Sequence, residues 1–417
     1  MLSGPDAPIE LEAPGFKVAV GTAPDNDLVL SDVTVSRYHL ELRHLGERIL
    51  VQDLGSTNGT RSGAVLIDRA QLEAGTVLSL GKTLLRVEGG ATVESELYPQ
   101  EDLAGFLGRS SVMREVMSRV VKAAHARLPL LLVGETGSGK ELAARAIHQL
   151  SDRREGPFEV VDCGALTPSL VASELFGHVK GAFPGAESNL RGAFERAQGG
   201  TLFLDAIGEL PQLLQPALLG ALERRTIRRI GEEAPTPVDV RIVSATHRDL
   251  RAAVNASQFR ADLYFRLAGL QIELPPLRDR PDDLPLLVAR FLTELGEDPS
   301  TSELLEEASM RALKQHQWPG NVRELRNYVH AAAALGNAEA PVPSLATDGA
   351  GSWLSDRFAE LLALPLKQAK ATVDDELERR YLTHLLSNQR GVVEAAKVAG
   401  IHRSFLHVLM RKHGLGK

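Results

Sequence analysis

The chain has one cysteine, no long apolar run and no surplus of positive charge, and each shortage removes a class of protein. A single thiol, Cys163, rules out an internal disulfide and cannot make a zinc site without other ligands, so a small core residue is expected there. No apolar stretch approaches the roughly 20 residues a membrane helix needs; the best, LPLLLVG at 128–134, reads as a buried strand. The opening MLSGPDAPIELEAPG has neither a basic nor an apolar region of an export signal, which predicts a cytoplasmic protein with no membrane partner. Asp and Glu outnumber Lys and Arg by 54 to 47, a net charge of −7, which argues against wholesale nucleic-acid coating. The tail is the exception: from Ala395 to Lys417 there is no Asp or Glu, while Lys397, Arg403, Arg411, Lys412 and Lys417 are basic. No internal repeat is found.

What is present divides into three domains, as expected for 417 residues at about 100–200 per domain. Residues 1–95 alternate in short runs (FKVAVG, LVLS, YHLELRHL, RILVQDL, AVLI, TVLSLG, TLLRVE) between Gly, Asn, Asp and Ser clusters, the pattern of an all-β sandwich. The polar GGATVESELYPQED then reads as a linker. Over 103–337, helices alternate with the buried strands LPLLLVG, FEVVDC, TLFLDA and VRIVSAT, an α/β domain on a parallel sheet, and from about 275 a helical lid follows. A Pro-, Ala- and Gly-rich linker at 338–365 leads to an all-α domain at 366–417.

The chemistry is concentrated in LLVGETGSGKE. Gly134, Glu135, Thr136, Gly137, Ser138, Gly139 and Lys140 give the spacing G-x-x-x-x-G-K between a strand and a helix, where backbone N–H groups cradle phosphate and the lysine adds charge. Glu141 stands where Ser or Thr is usual. Asp205, closing the strand TLFLD, is placed to hold magnesium or its water, and Arg260, Arg266 and Arg323 suit finger and sensor roles on a transferring phosphate.

In order, GETGSGKE, SELFGH, KGAF, GAFERAQGGTLFLD, FRADLY, LPPLRDR and WPGNVREL resemble the central AAA+ ATPase of bacterial enhancer-binding proteins, the sigma-54-dependent activators. The resemblance implies ATP and Mg as cofactors, a ring of like subunits or a mixed ring, and sigma-54 RNA polymerase as partner. Gly181, Ala182, Phe183, Pro184, Gly185 and Ala186 occupy the family's sigma-54 loop, with Pro184 in place of a threonine. Ala206 replaces the water-activating glutamate, Asp162 the asparagine that restrains it, and His247 a sensor asparagine. Two outcomes stay open: a working ATPase in which Glu209 or Asp162 takes over the lost role, or a slow or silent ATP-binding regulator acting as repressor, docking module or mixed-ring subunit.

The two ends carry resemblances of their own. VGTAPDNDLVLSDVTVSRYHLELR and VQDLGSTNGT are similar to a forkhead-associated (FHA) domain, which implies phosphothreonine recognition by Ser36, Arg37, Thr57 and Asn58, a loop braced by His39, and a phosphothreonine-containing partner such as a Ser/Thr kinase. The family's Gly-Arg start is Gly21-Thr22 here. The segment GVVEAAKVAGIHRSFLHVLMRKHGL reads as helix, turn, helix and resembles a Fis-type DNA-binding domain. That resemblance implies contacts with promoter-upstream DNA through Arg403, Ser404, His407, Arg411 and Lys412.

Overall fold

Alternating burial builds the N-terminal sandwich: in β9 (Thr83–Val87), residues 83, 85 and 87 are buried and 84 and 86 exposed. The computed structural model describes residues 3–7, 9–11, 17–45, 48–88, 96–164, 167–335, 409–410 and 412. One sheet is ordered β2-β1-β3-β4-β7, from β1 (Lys17–Gly21), β2 (Leu28–Val29), β3 (Leu40–Leu45), β4 (Arg48–Asp53) and β7 (Arg69–Leu72). The other is ordered β6-β5-β8-β9, with β5 (Thr60–Ser62), β6 (Val65–Ile67) and β8 (Thr76–Leu80). Val20, Leu40, Val51, Leu78 and Leu80 fill the space between them. Strands β5 and β7, TRS and RAQL, are absent from the sequence reading because three or four residues are too few for a pattern to stand out; pairing with their neighbours makes them strands.

The central domain is a five-stranded parallel sheet ordered β11-β12-β13-β10-β14, from β10 (Leu130–Val133), β11 (Phe158–Asp162), β12 (Thr201–Asp205), β13 (Arg241–Thr246) and β14 (Leu270–Glu273). All six residues of β13 are buried, as a strand covered on both faces requires. The chain leaves β10 in mid-sheet and returns at the far edge in β11, so a crevice opens at the carboxyl end of β10, the usual ligand position in such sheets. Sequence reading missed β14, a four-residue edge strand.

Helix α1 (Ser111–His125) starts where the Ser110 side chain accepts the Met113 N–H, and α2 (Lys140–Gln149) starts in the crevice. Beyond them come α3 (Gln215–Arg224), α4 (Leu250–Asn255), capped by Asp249, and α5 (Ala261–Leu267). The lid consists of α6 (Leu284–Glu294), α7 (Glu307–Gln315) and α8 (Asn321–Leu335), closed around buried Trp318, whose indole N–H donates to the Leu313 carbonyl at 2.9 Å.

Residues 1–342 form one compact unit, in which Ala23, Tyr38 and Leu54 of the sandwich join the core cluster of the central domain. Residues 343–417 form a second unit. Within it Leu409, Met410 and Lys412 are helical, while Arg403, Ser404, His407 and Arg411, with the expected linker, lie outside the described residues. Among the described residues no helix is long and apolar enough to cross a membrane.

Candidate nucleotide site and recognition loops

The glycine-rich loop fills the turn from β10 to α2. Gly137 has φ +77°, and a Cβ there would lie 2.3 Å from the Gly320 carbonyl, so the lid backbone rests directly on the loop. Lys140 Nζ donates to the carbonyls of Gly134 (2.7 Å) and Glu135 (2.8 Å), and the Ser138 hydroxyl is buried without a partner. Burial holds the Lys140 ammonium below the ordinary lysine range, opposed by Asp205 and reinforced by Arg323. Glu141 is exposed and pairs with Arg145 at 2.7 Å.

A latch from the lid, which sequence reasoning missed, fixes this loop. Arg278 grips Glu135 with two bonds of 2.8 and 2.5 Å, and Asn321 donates to Glu135 and to the Thr136 carbonyl at 3.1 Å. Arg280, 2% exposed, donates to the Ser138 carbonyl at 2.8 Å and faces Asp283 at 3.7 Å. The motifs LPPLRDR and WPGNVREL contain all three residues, but nothing in their spacing says that they close on a loop more than a hundred residues earlier.

Asp205 ends β12 beside Asp162, its register partner on β11. Its Oδ1 accepts the Ala206 N–H at 2.8 Å, and Ala206 adopts left-handed φ 50°, ψ 41°. Glu209 is held by Arg248 at 2.5 Å, with His247 3.7 Å away, and Asp162 accepts the Gly164 N–H at 2.8 Å. Cys163, between these strand ends, is 1% exposed; burial, with Asp162 and Asp205 nearby, pushes its thiol up to about 12.

The structure therefore brings Lys140, Asp205 and Arg323 together and leaves the other two arginines apart. Arg260 pairs with Asp262 at 2.7 Å, while its N–H is accepted by Gln215. Arg266 donates to the Leu222 carbonyl at 3.2 Å. It lines a cavity of about 690 Å³ with Pro129, Arg225 and Arg241, at the amino ends of β10 and β13 and thus away from the glycine-rich loop.

In the sandwich, Ser36, Thr57 and Asn58 meet at one end. Ser36 Oγ accepts the Thr57 N–H at 2.9 Å, and Asn58 Nδ2 donates to the Thr34 carbonyl at 2.7 Å. His39 is fully buried: Nδ1 accepts the Ser36 N–H at 3.1 Å, which leaves the proton on Nε2, 3.4 Å from the Gly59 carbonyl, so one ring ties the two loops together. Arg37, Thr57 and Asn58 are exposed. A Cβ on Gly21 would fall 2.1 Å from the Arg37 carbonyl, so the strand passes hard against the loop base.

Comparison with known proteins follows the same division. Residues 106–273 match the sigma-54 interaction domain and 278–343 the AAA+ ATPase lid domain. The transcriptional regulator NtrC of Azospirillum brasilense is 38% identical over 345 residues, covering 77% of this chain and 72% of NtrC. The chain belongs to the sigma-54-dependent activators. Within that family, HyfR of Escherichia coli, a DNA-binding transcriptional activator, is 37% identical over 90% of the chain, which spans only 54% of HyfR. Among solved structures, NtrX from Brucella abortus superimposes with a TM-score of 0.53 at 30% identity, over 74% of this chain and 69% of NtrX; NtrX in complex with ADP gives 0.53 and with ATP 0.51. Residues 1–89 match the cytoplasmic domain of an inner-membrane component of type III secretion.

In this member of the sigma-54-dependent activators, the 181–186 loop is a folded hairpin tip between Gly177–His178 and Leu190–Arg191. The Ala186 N–H donates to the Phe183 carbonyl at 3.0 Å across Pro184 and Gly185, with Gly185 at φ +99°. Proline at the second and a positive-φ glycine at the third position make a type II turn. Gly181 N–H closes on the Ala186 carbonyl at 2.8 Å, Ala182 packs beside Gly231, and Phe183 lies edge-on to His178 at 5.0 Å.

Proposed function

We propose that the protein is an ATP-binding regulator of sigma-54 transcription that receives a phosphothreonine signal through its FHA-like domain, binds promoter-upstream DNA through its tail, and turns over ATP slowly or not at all. ATP with Mg fits the residues present: the Lys140 ammonium and orphan Ser138 hydroxyl suit phosphate oxygens, and the Asp205 carboxylate suits a divalent cation. When bound, that pair supplies a transferable phosphoryl group; the chain's own residues hold and orient it.

The observation that carries the slow-turnover reading is the state of the carboxylates near Ala206. The position after Asp205 holds Ala206, Glu209 is drawn into a pair with Arg248 and Asp162 commits one oxygen to the Gly164 N–H, so neither carboxylate stands where the missing base would. A positioned base is worth about 10²–10⁴ in rate. The position of Arg266 at the amino ends of the strands favours service to a neighbouring subunit's site, in a ring of copies or of relatives.

The test is ATP turnover by the full chain at ring-forming concentration, beside Ala206→Glu and a nucleotide-binding titration. Binding without turnover in the wild type, with turnover gained at least about a hundredfold in the variant, is expected. Wild-type turnover equal to that of the variant would give the catalytic role to another residue and remove the slow-turnover reading.

A further inference from the structure

The two FHA recognition loops have an exposed front and a clamped back. Behind the first loop is Tyr38, between exposed Arg37 and the bracing His39; behind the second is Leu54, next to Asp53, which accepts Ser56 N–H and Oγ at 2.7 Å and Thr60 Oγ1 at 2.6 Å. Neither Tyr38 nor Leu54 belongs to the sandwich's own core. Both are buried, at 1% and 2% exposure, in the core cluster that also holds Leu250, Val254, Leu263 and Tyr264 of the ATPase.

One side chain joins both loop bases. Asn255, the last residue of α4, donates its amide to the Tyr38 carbonyl at 2.6 Å and to the Leu54 carbonyl at 3.0 Å. Arg251, one turn earlier, lies 5.3 Å from the Tyr38 ring centre and donates to the Tyr264 hydroxyl at 2.9 Å, and the Tyr38 hydroxyl donates to Asp25 at 3.2 Å. The Tyr38 and Tyr264 rings meet edge-on at 5.7 Å and 76°. Tyr264 is on α5, between Arg260, which caps that helix, and Arg266. A second corner of the joint is Glu273, which pairs with Arg43 at 2.7 Å and Lys17 at 3.6 Å, and whose register partner Val133 directly precedes the glycine-rich loop.

We propose that this joint transmits occupancy of the FHA loops to the arginine-bearing helix: a phosphothreonine segment seated on Ser36, Arg37, Thr57 and Asn58 orders the loop bases, and through Asn255 and Tyr38 it orders α4 and α5. Asn255 and Tyr38 are thus positioning residues for Arg260 and Arg266. The proposal rests on the phosphothreonine reading above and adds the route by which that signal reaches the ATPase. Hydrogen bonds and packed rings with one arrangement per state are the physical means by which two sites share a coupling free energy.

The experiment uses the full chain, a degenerate nonapeptide with a fixed central phosphothreonine, and its unphosphorylated twin. Binding is read by fluorescence anisotropy and amide exchange by mass spectrometry over residues 250–267. In the wild type, the phosphorylated peptide alone binds and slows exchange there by at least about fivefold. Asn255→Ala, a helix-favouring change at a half-buried helix end, binds the peptide within about threefold of wild type and loses the exchange response. Binding with unchanged exchange in the wild type, or a full response in Asn255→Ala, overturns the joint and leaves phosphothreonine recognition standing. Absence of any preference for the phosphorylated peptide removes the recognition reading and the joint with it.

Discussion

At the scale of single residues, His39 bears most on the proposed recognition loops, because one imidazole bonds both. Burial, opposed by Asp53, the Gly59 carbonyl and Asp32, keeps its pKa below the usual value, so the folded sandwich favours the neutral ring. Its contribution is complete above about pH 6.5, where the unfolded chain is also neutral, and is lost as pH falls from there toward the depressed folded value. Between pH 7 and pH 5 the melting temperature of the wild type should fall more steeply than that of His39→Gln; parallel curves would assign the acid sensitivity elsewhere. Ala206 illustrates a different constraint. A left-handed conformation costs a residue with a Cβ about 1–2 kcal/mol, so the strand end keeps its bend after Asp205 at the expense of stability.

Among the elements, the lid latch and the hairpin tip make contrasting demands. Arg280 is almost wholly buried, with burial pulling its pKa down and Asp283 opposing. Arg280→Ala should destabilise the central domain by about 3 kcal/mol in urea unfolding, near the low end for a broken buried pair, because Asp283 keeps its bonds from the Arg109 and Ser110 N–H groups. The tip at 183–186 gains order from Pro184, whose fixed φ suits the turn. Pro184→Thr should therefore speed amide exchange at Gly181 and Ala186, whose N–H groups close the tip, by about two- to fivefold, as expected for about 0.4–1 kcal/mol of chain entropy. Legibility differs by element for physical reasons. The runs KVAVG, TLFLD and RIVSAT announce strands because apolar side chains on a sheet face must alternate or run unbroken. Strands TRS, RAQL and LQIE are only three or four residues long, too short for a pattern to stand out from chance, and it is their neighbours that make them strands. The glycine-rich loop is legible because local backbone conformation dictates it, whereas the Arg278, Arg280 and Asn321 latch depends on side chains brought together only by folding. Tyr38 within SRYH looks like a core residue of its own sandwich, and only the packed structure reveals that it is buried in the neighbouring domain.

On the scale of the whole molecule, the sandwich and the ATPase share one compact unit, and among the described residues the bases of the 36–39 and 54–60 loops are tied to the central domain by hydrogen bonds, rings and the Glu273 ion pairs. A partner docked on those loops is thereby oriented relative to the nucleotide crevice. The lone thiol supplies a way to time that crevice. Cys163 follows Asp162, bonds the Asp205 carbonyl through its N–H and is buried in the core on one face of the sheet, so an alkylating reagent can reach it only when the packing under the carboxyl ends of those strands opens. Iodoacetamide labelling of the unaltered chain should be single-exponential, far slower than in urea, and slower again with ATP and Mg present. Equal rates with and without nucleotide would mean that the edge opens independently of the loop. No engineered probe is needed: with one cysteine in the sequence, every labelling event reports the same breath at the same place, and the protein carries its own stopwatch for the opening of its nucleotide site.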